Sequence, residues 1–181
     1  MIVAPVVARA DREFPNTDDF VSASPEDYRA LVGGYANTGI RFGTPDGLHC
    51  SMSVSLKGSG GGTASCWGAL PGAPPGGANM VYVDSDRGSS FVRVDLAAME
   101  RTWVLDPAHP GAGQDGFYQA DIDPKSYRLL PAGSSIRYPG GSELHPVCVV
   151  DDAGLTACQL RQAGGGQWRS FVVSPQGSWV S

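Results

Sequence analysis

Apolar residues along this chain come in short runs, each ended within a few positions by glycine, proline, asparagine or aspartate. The stretch Ile40–Gly68 sets the pattern. It reads as an apolar strand, a turn at Pro45-Asp46-Gly47, and a second strand over Leu48–Leu56. A glycine-rich tip follows at Gly58–Gly62, then a returning strand that ends on Cys66 and Trp67. A shorter version recurs at Ser135–Leu160: Ile40-Arg41-Phe42 answers to Ile136-Arg137-Tyr138, Leu48-His49 to Leu144-His145, and Thr63-Ala64 to Thr156-Ala157. Each unit carries its own cysteine pair, so the chain is organised as two cysteine-paired β units with a bridge between them.

The remaining runs extend this reading. Asp11–Ala23 is polar and turn-like, with Phe14 and Phe20 as anchors. Ser24-Pro25-Glu26-Asp27 has the form of a helix start, with a Ser N-cap, Pro at the first helical position and acids at the positive end. It predicts a short helix through Tyr28 and Leu31, ending at Gly33-Gly34. Met80–Val83 and Ser90–Asp95 flank an Asp84–Gly88 turn as a hairpin. Leu96–Leu105 is ambiguous: it could be a helical turn running into a strand, and only Thr102–Leu105 is expected as strand. Further strands are expected at Phe117–Ala120, Arg128–Leu130, Ser135–Tyr138, Pro146–Val150, Leu155–Leu160 and Trp168–Ser174, with Gly177–Val180 closing as a short edge. Two Gly/Pro loops, Leu70–Asn79 and Asp106–Gly116, cannot pair in a sheet. The expected fold is a mainly β, single-domain antiparallel sandwich or partly open barrel over residues 11–181, with one short N-terminal helix.

Composition sharpens this. Gly 25 and Pro 14 exceed a fifth of the 181 residues, which favours short elements and many turns. A net charge of −5 with no basic cluster argues against nucleic acid. Four cysteines in two close pairs, without Cys-x-x-Cys or zinc-finger spacing, read as cystines. Three connectivities exist; proximity and the repeat favour Cys50–Cys66 and Cys148–Cys158. Closing a loop of about 15 residues contributes roughly 3 kcal/mol in the chain-entropy model. Such bonds persist in an oxidising compartment, so export to the envelope or medium is expected. Ala8-Arg9-Ala10 matches the small-x-small cleavage rule, which makes Met1–Ala10 the remnant of a signal peptide, or else a disordered apolar tail. No run of 18 apolar residues is present, so no transmembrane helix is expected.

The segment Phe42–Cys50 (F-x-T-P-D-G-L-x-C, with Gly43 in the second place) is followed by a second signature. That is Leu130–Tyr138 (L-P-x-G-x-x-I-x-Y), a cysteine pair and Phe171–Gly177 (F-x-V-S-P-x-G). Together these resemble small exported or lipid-anchored envelope proteins of actinobacteria, of unknown role, over about Phe14 to Val180. The resemblance implies the same two cystine hairpins and export, and brings no catalytic residues with it.

Candidate chemistry is sparse. His49 and His145 sit in matching places beside Cys50 and Cys148; brought together they could bind a metal or sense pH, with Asp46 or Glu143 as a third ligand. The plainer reading is two half-exposed strand histidines. His109 lies in a loop. Asp84-Ser85-Asp86-Arg87-Gly88 opens like a calcium loop, but position twelve is Asp95 instead of glutamate and Arg87 adds a positive charge. No Gly-x-Ser-x-Gly elbow occurs, and no carboxylate pair is singled out. Trp67, Trp103, Trp168 and Trp179, with Tyr35, Tyr82 and Tyr118, form either a stacking platform for a glycan or lipid headgroup, or core. The ligand-binding candidates are therefore His49, His145, Trp67 and Trp103. No metal or other cofactor is implied. The leading reading is a non-enzymatic envelope or secreted binding module whose partner is an envelope protein, a glycan or a lipid. The alternatives are a small extracellular hydrolase acting on a cell-wall component, or an accessory factor for envelope transport.

Overall fold

The computed structural model describes residues 13–33, 37–54, 61–139, 144–162 and 169–181. Met1–Ala10, Tyr35, the tip at 58–60, Glu143 and Trp168 lie outside them. The described residues form fourteen strands: β1 Val21–Ser22, β2 Arg29–Gly33, β3 Asn37–Gly43, β4 His49–Val54, β5 Gly62–Trp67, β6 Met80–Asp84 and β7 Gly88–Val92 precede a one-turn helix, α1, at Leu96–Met99. β8 Arg101–Leu105, β9 Phe117–Asp121, β10 Ser134–Arg137, β11 Leu144–Val150, β12 Thr156–Gln162, β13 Arg169–Val173 and β14 Trp179–Val180 complete the chain.

The strands build two six-stranded sheets and a separate hairpin. The first sheet is a plain meander, β2-β3-β4-β5-β6-β7; the second runs β1-β10-β11-β12-β13-β14; β8 and β9 pair with each other. All pairings are antiparallel except β1 with β10, which is parallel. The sheets stack as a sandwich. Ile40, Phe42, Met52, Val81 and Val83 from the first pack against Ile136, Val150, Leu160, Phe171 and Val173 from the second in one buried cluster. Each such side chain contributes roughly 1.5–3 kcal/mol when fully removed from water.

Both cystines lie inside this core. Cys50 stands directly opposite Cys66 across β4 and β5, and Cys148 opposite Cys158 across β11 and β12. The expected pairing is the observed one, and each bond staples a hairpin already paired by its backbone.

The repeat holds at the cystines and slips beside them. Phe42 pairs with Cys50 whereas Ile136 pairs with Cys148, so Phe42 corresponds to Ile136 and not to Tyr138. Ser51 and Ser65 face each other next to the first cystine; Val149 and Ala157 do so next to the second. His49 abuts its cysteine, while His145 stands three residues from Cys148, so the two histidines do not occupy matching places.

The predicted helix at Ser24 is one turn of 3-10 helix, Pro25–Tyr28, without a side-chain cap bond from Ser24. The chain passes straight into β2, whose backbone pairs with β3 at Arg29↔Ile40, Ala30↔Gly39 and Leu31↔Thr38. An isolated two-turn helix is marginal in water, and a sheet edge with a partner waiting outcompetes it. Arg128–Leu130, expected as a strand, makes only a parallel bridge between Leu129 and Gly43. Gly43 N–H donates to the Arg128 carbonyl and Leu130 N–H to the Gly43 carbonyl. A Cβ on Gly43 would meet Leu129 Cδ2 at 3.0 Å, so a larger residue there would push the exposed Leu129 side chain aside.

Candidate functional site

Alternation along β3, β4 and β5 sends Ile40, Phe42, Cys50 and Cys66 inward, and therefore Arg41, His49, Ser51, Ser65 and Trp67 to the outer face of the first sheet. At one end of that face three segments converge on Glu100, the residue that ends α1. Glu100 N–H donates to the Leu96 carbonyl, and its own carbonyl accepts from Ile122 N–H, which fixes its backbone. Its Oε1 lies 2.6 Å from His49 Nδ1 and 2.7 Å from Trp67 Nε1, and its Oε2 lies 2.6 Å from the Tyr127 hydroxyl. The Tyr127 ring stacks on His49, with centroids 4.1 Å apart and planes 9° apart, and Trp67 meets both edge-on.

The electrostatics follow from this geometry. Burial pushes the Glu100 carboxyl up, but the hydrogen bonds from Tyr127, His49 and Trp67, with the His49 charge, together outweigh it and hold the group below its ordinary value. Burial, and then the bond to Glu100, push the Tyr127 phenol well above its usual range, against an opposing pull from Arg41. Glu100 is therefore an ionised acceptor and Tyr127 a neutral donor. An ionised carboxylate only accepts, so the His49 proton facing it sits on Nδ1.

Beyond Tyr127 opens a cavity of about 290 Å³, walled by the turn before β2, Arg41 of β3, Thr102 of β8, Ile122, and the Ser126–Arg128 segment. Thr102 donates to the Leu31 carbonyl and so ties the β8–β9 hairpin to β2. The Tyr28 hydroxyl donates to the Leu129 carbonyl, and the Arg128 guanidinium lies 5.3 Å from the Tyr28 ring centroid. Arg29 pairs with Glu26, and Arg128 with Asp27 at 3.5 Å. Among the described residues Arg41 Nε and Nη1 are shielded from water without a hydrogen-bond partner, while the half-buried Arg41 guanidinium interacts with the Tyr127 hydroxyl.

Of the four residues expected to bind ligand, the fold brings two together, His49 and Trp67. Trp67 is only 2% exposed with its N–H taken by Glu100, so it is floor and not platform. Trp103 stands opposite Gln119 in the separate hairpin, half-buried. His145 lies opposite Arg161 on β11, on the outer face of the second sheet, where burial and the Arg137 charge lower its pKa. The two histidines thus face away from each other on opposite outer faces. Among the described residues no group of three histidine, cysteine or acidic side chains is placed to hold a metal. Asp84 Oδ1 accepts from Asp86 N–H and Arg87 N–H, which commits it to closing its own turn. His109 stacks on Tyr118 at 3.6 Å and accepts from Gly111 N–H, a local loop brace.

Sequence reasoning missed Glu100, Tyr127 and Arg41. The only available signal for Glu100 was its place at the junction of a helical turn and a strand; Tyr127 follows a short turn and had none. Comparison with family models, curated proteins and solved structures finds no match for this chain.

Proposed function

We propose that this protein is an extracytoplasmic binding module that takes a polar glycan on the outer face of its first sheet. One observation carries this reading. At equal distance from the two buried cystines, the second sheet has Val149 and Ala157 sealed from water, while the first has Ser51 and Ser65 accessible. Ser53, Thr63, Tyr82 and Ser90 continue the hydroxyl row on that face, none of them buried. Hydroxyls spaced along one face of a sheet match the alternating donors and acceptors of a sugar chain. Two disulfides support an oxidising compartment, and no helix among the described residues is long and apolar enough to cross a membrane.

The test is titration of the oxidised protein with a neutral oligosaccharide, such as a tetramer of N-acetylglucosamine, followed by amide NMR shifts. The expected shifts map to β4, β5 and β6, and Thr63→Val with Ser65→Val weakens binding about tenfold, the loss of one to two hydrogen bonds. No saturable shift, or shifts confined to the second sheet, would refute it. A hydrolase is the second reading, favoured by the His49–Glu100 pairing, which orients the imidazole through Nδ1. Mass spectrometry of the titrated oligosaccharide separates the two: cleavage that His49→Asn abolishes establishes the hydrolase.

A further inference from the structure

Residues 95–122, which hold α1, β8 and β9, are bound to the rest of the molecule at very few points. Only Gly116 and Phe117 among them are buried, and none of them belongs to either core cluster. Their bonds are mostly internal. β8 and β9 pair with each other and with no other strand, and β8 runs beside β2 without a ladder. Arg101 lies 3.5 Å from Asp121, and Asp106 N–H donates to the Gly116 carbonyl to close the loop between the strands. Among the described residues, side chains of this segment reach outward at two places. The Thr102 hydroxyl donates to the Leu31 carbonyl, and Glu100 grips His49, Trp67 and Tyr127. Both ends are anchored. Val94 N–H donates to Asn79 Oδ1 and its carbonyl accepts from Asn79 Nδ2, while Asp123 Oδ1 accepts from Lys125 N–H in the turn that follows.

Segments with few buried apolar contacts open at a lower free energy than the whole protein unfolds, and flaps over binding surfaces are drawn from them. We propose that residues 95–122 form a flap, hinged at Val94 and Asp123 and latched by Glu100 over the Trp67 end of the first sheet, which opens while both sheets stay folded. This goes beyond the glycan reading and does not rest on it. With the flap closed, Trp67 is 2% exposed and its indole N–H is taken by Glu100. Opening withdraws the Glu100 carboxylate, lets water reach His49 and the indole N–H, and removes the cavity wall made by Thr102 and Ile122. The row uncovered is His49, Trp67, Met80 and Val92. It lies two residues along each strand from Ser51, Ser65, Tyr82 and Ser90, so an aromatic ring comes to stand beside the hydroxyl row.

Native-state hydrogen exchange in rising denaturant, read by NMR on the full chain, tests the flap. The Trp67 indole signal is assigned from its through-space contacts with His49 and Tyr127. A detached two-stranded hairpin is marginal in water, so the ladder amides of β8 and β9 exchange whenever the flap opens. Their protection is expected to be at least tenfold lower than that of β4, β5, β11 and β12. Their denaturant dependence is shallower, because opening exposes less surface than unfolding. The Trp67 indole proton follows the flap and not the backbone amides of its own strand. Glu100→Gln lowers protection in β8, in β9 and at the indole tenfold or more. Amides of β8 and β9 that share the protection and denaturant slope of the core strands would overturn the flap. So would an indole proton that exchanges with the β5 backbone, and unchanged flap exchange in Glu100→Gln would remove Glu100 as the latch. The first two readings come from the wild-type protein and decide the matter even where the variant does not fold.

Discussion

The two cystine units share an inner face and differ on the outer one. Inward, both present cysteine and aliphatic side chains to one core. Outward, Val149, Ala157 and Val172 of the second sheet form a small buried cluster covered by Phe14, Phe20, Leu155 and Trp179. The N-terminal segment closes that face. The same positions of the first sheet carry Ser51, Ser65 and Tyr82, and the elements beside them, α1, the β8–β9 hairpin and the 3-10 turns, gather at one end to make a polar cluster and a cavity. A repeated scaffold can thus keep its core while one copy becomes packing and the other a surface, through changes confined to alternate residues of two strands.

Swapping these outer residues tests the contrast most severely. Val149→Ser should cost about 2–3 kcal/mol in denaturant unfolding, because it leaves a hydroxyl and a void beneath Phe14 and Phe20. Ser51→Val should stay within about 0.5 kcal/mol. Similar costs at both sites would erase the distinction between packing face and open face.

Next in size is the loss of the acceptor in the polar cluster. Glu100→Gln retains shape but cannot accept three donors as a carboxylate does, so it should cost about 2 kcal/mol near neutral pH. The Glu100 pKa is lower folded than unfolded, so its contribution is present above the unfolded value and is lost as pH falls through the folded one. The gap between wild type and variant, followed by denaturant melts, should therefore shrink as pH drops below about 4.5. A gap independent of pH would mean that the carboxylate's charge is irrelevant there.

The smallest effect belongs to the second sheet. His145 has its pKa lowered by burial and by Arg137, so the folded state resists its protonation and stability falls as pH drops below the unfolded value of 6.5. His145→Asn should flatten part of the stability slope between pH 5 and 7 without altering ligand binding. A steeper slope in the variant would reverse the assigned sign.

Much of the fold was legible because its determinants are local. Turn residues such as Pro45-Asp46-Gly47 and Asp84–Gly88 mark the hairpins, and the cysteine spacing marks the staples. Phe14 and Phe20 act as anchors, as their isolation in a polar stretch suggested. What sequence could not supply were choices settled by distant partners. Arg29–Gly33 has helix signals before it and becomes a strand because β3 offers a ladder. The site depended still more on distance: positions 41, 49, 67, 100 and 127 share no spacing, since each is delivered by a different element. Leu48-His49 and Leu144-His145 looked equivalent by letter, and the true correspondence emerged only from the register around each cystine.

The parallel pairing of β1 with β10 also bears on how the chain assembles as it is made. The first sheet, β2 to β7, is a meander in which every strand pairs with a neighbour in sequence, so it can form as soon as Val92 has emerged. β1 comes out before any of it and must wait for a partner more than a hundred residues later. Until β11, β12 and β13 arrive, the segment carrying Phe14 and Phe20 has no surface to cover. The segment carrying Phe14 and Phe20 is thus made before the first sheet and is among the last parts secured, and a ribosome would release the paired strands of the first sheet well before the outer face of the second is sealed.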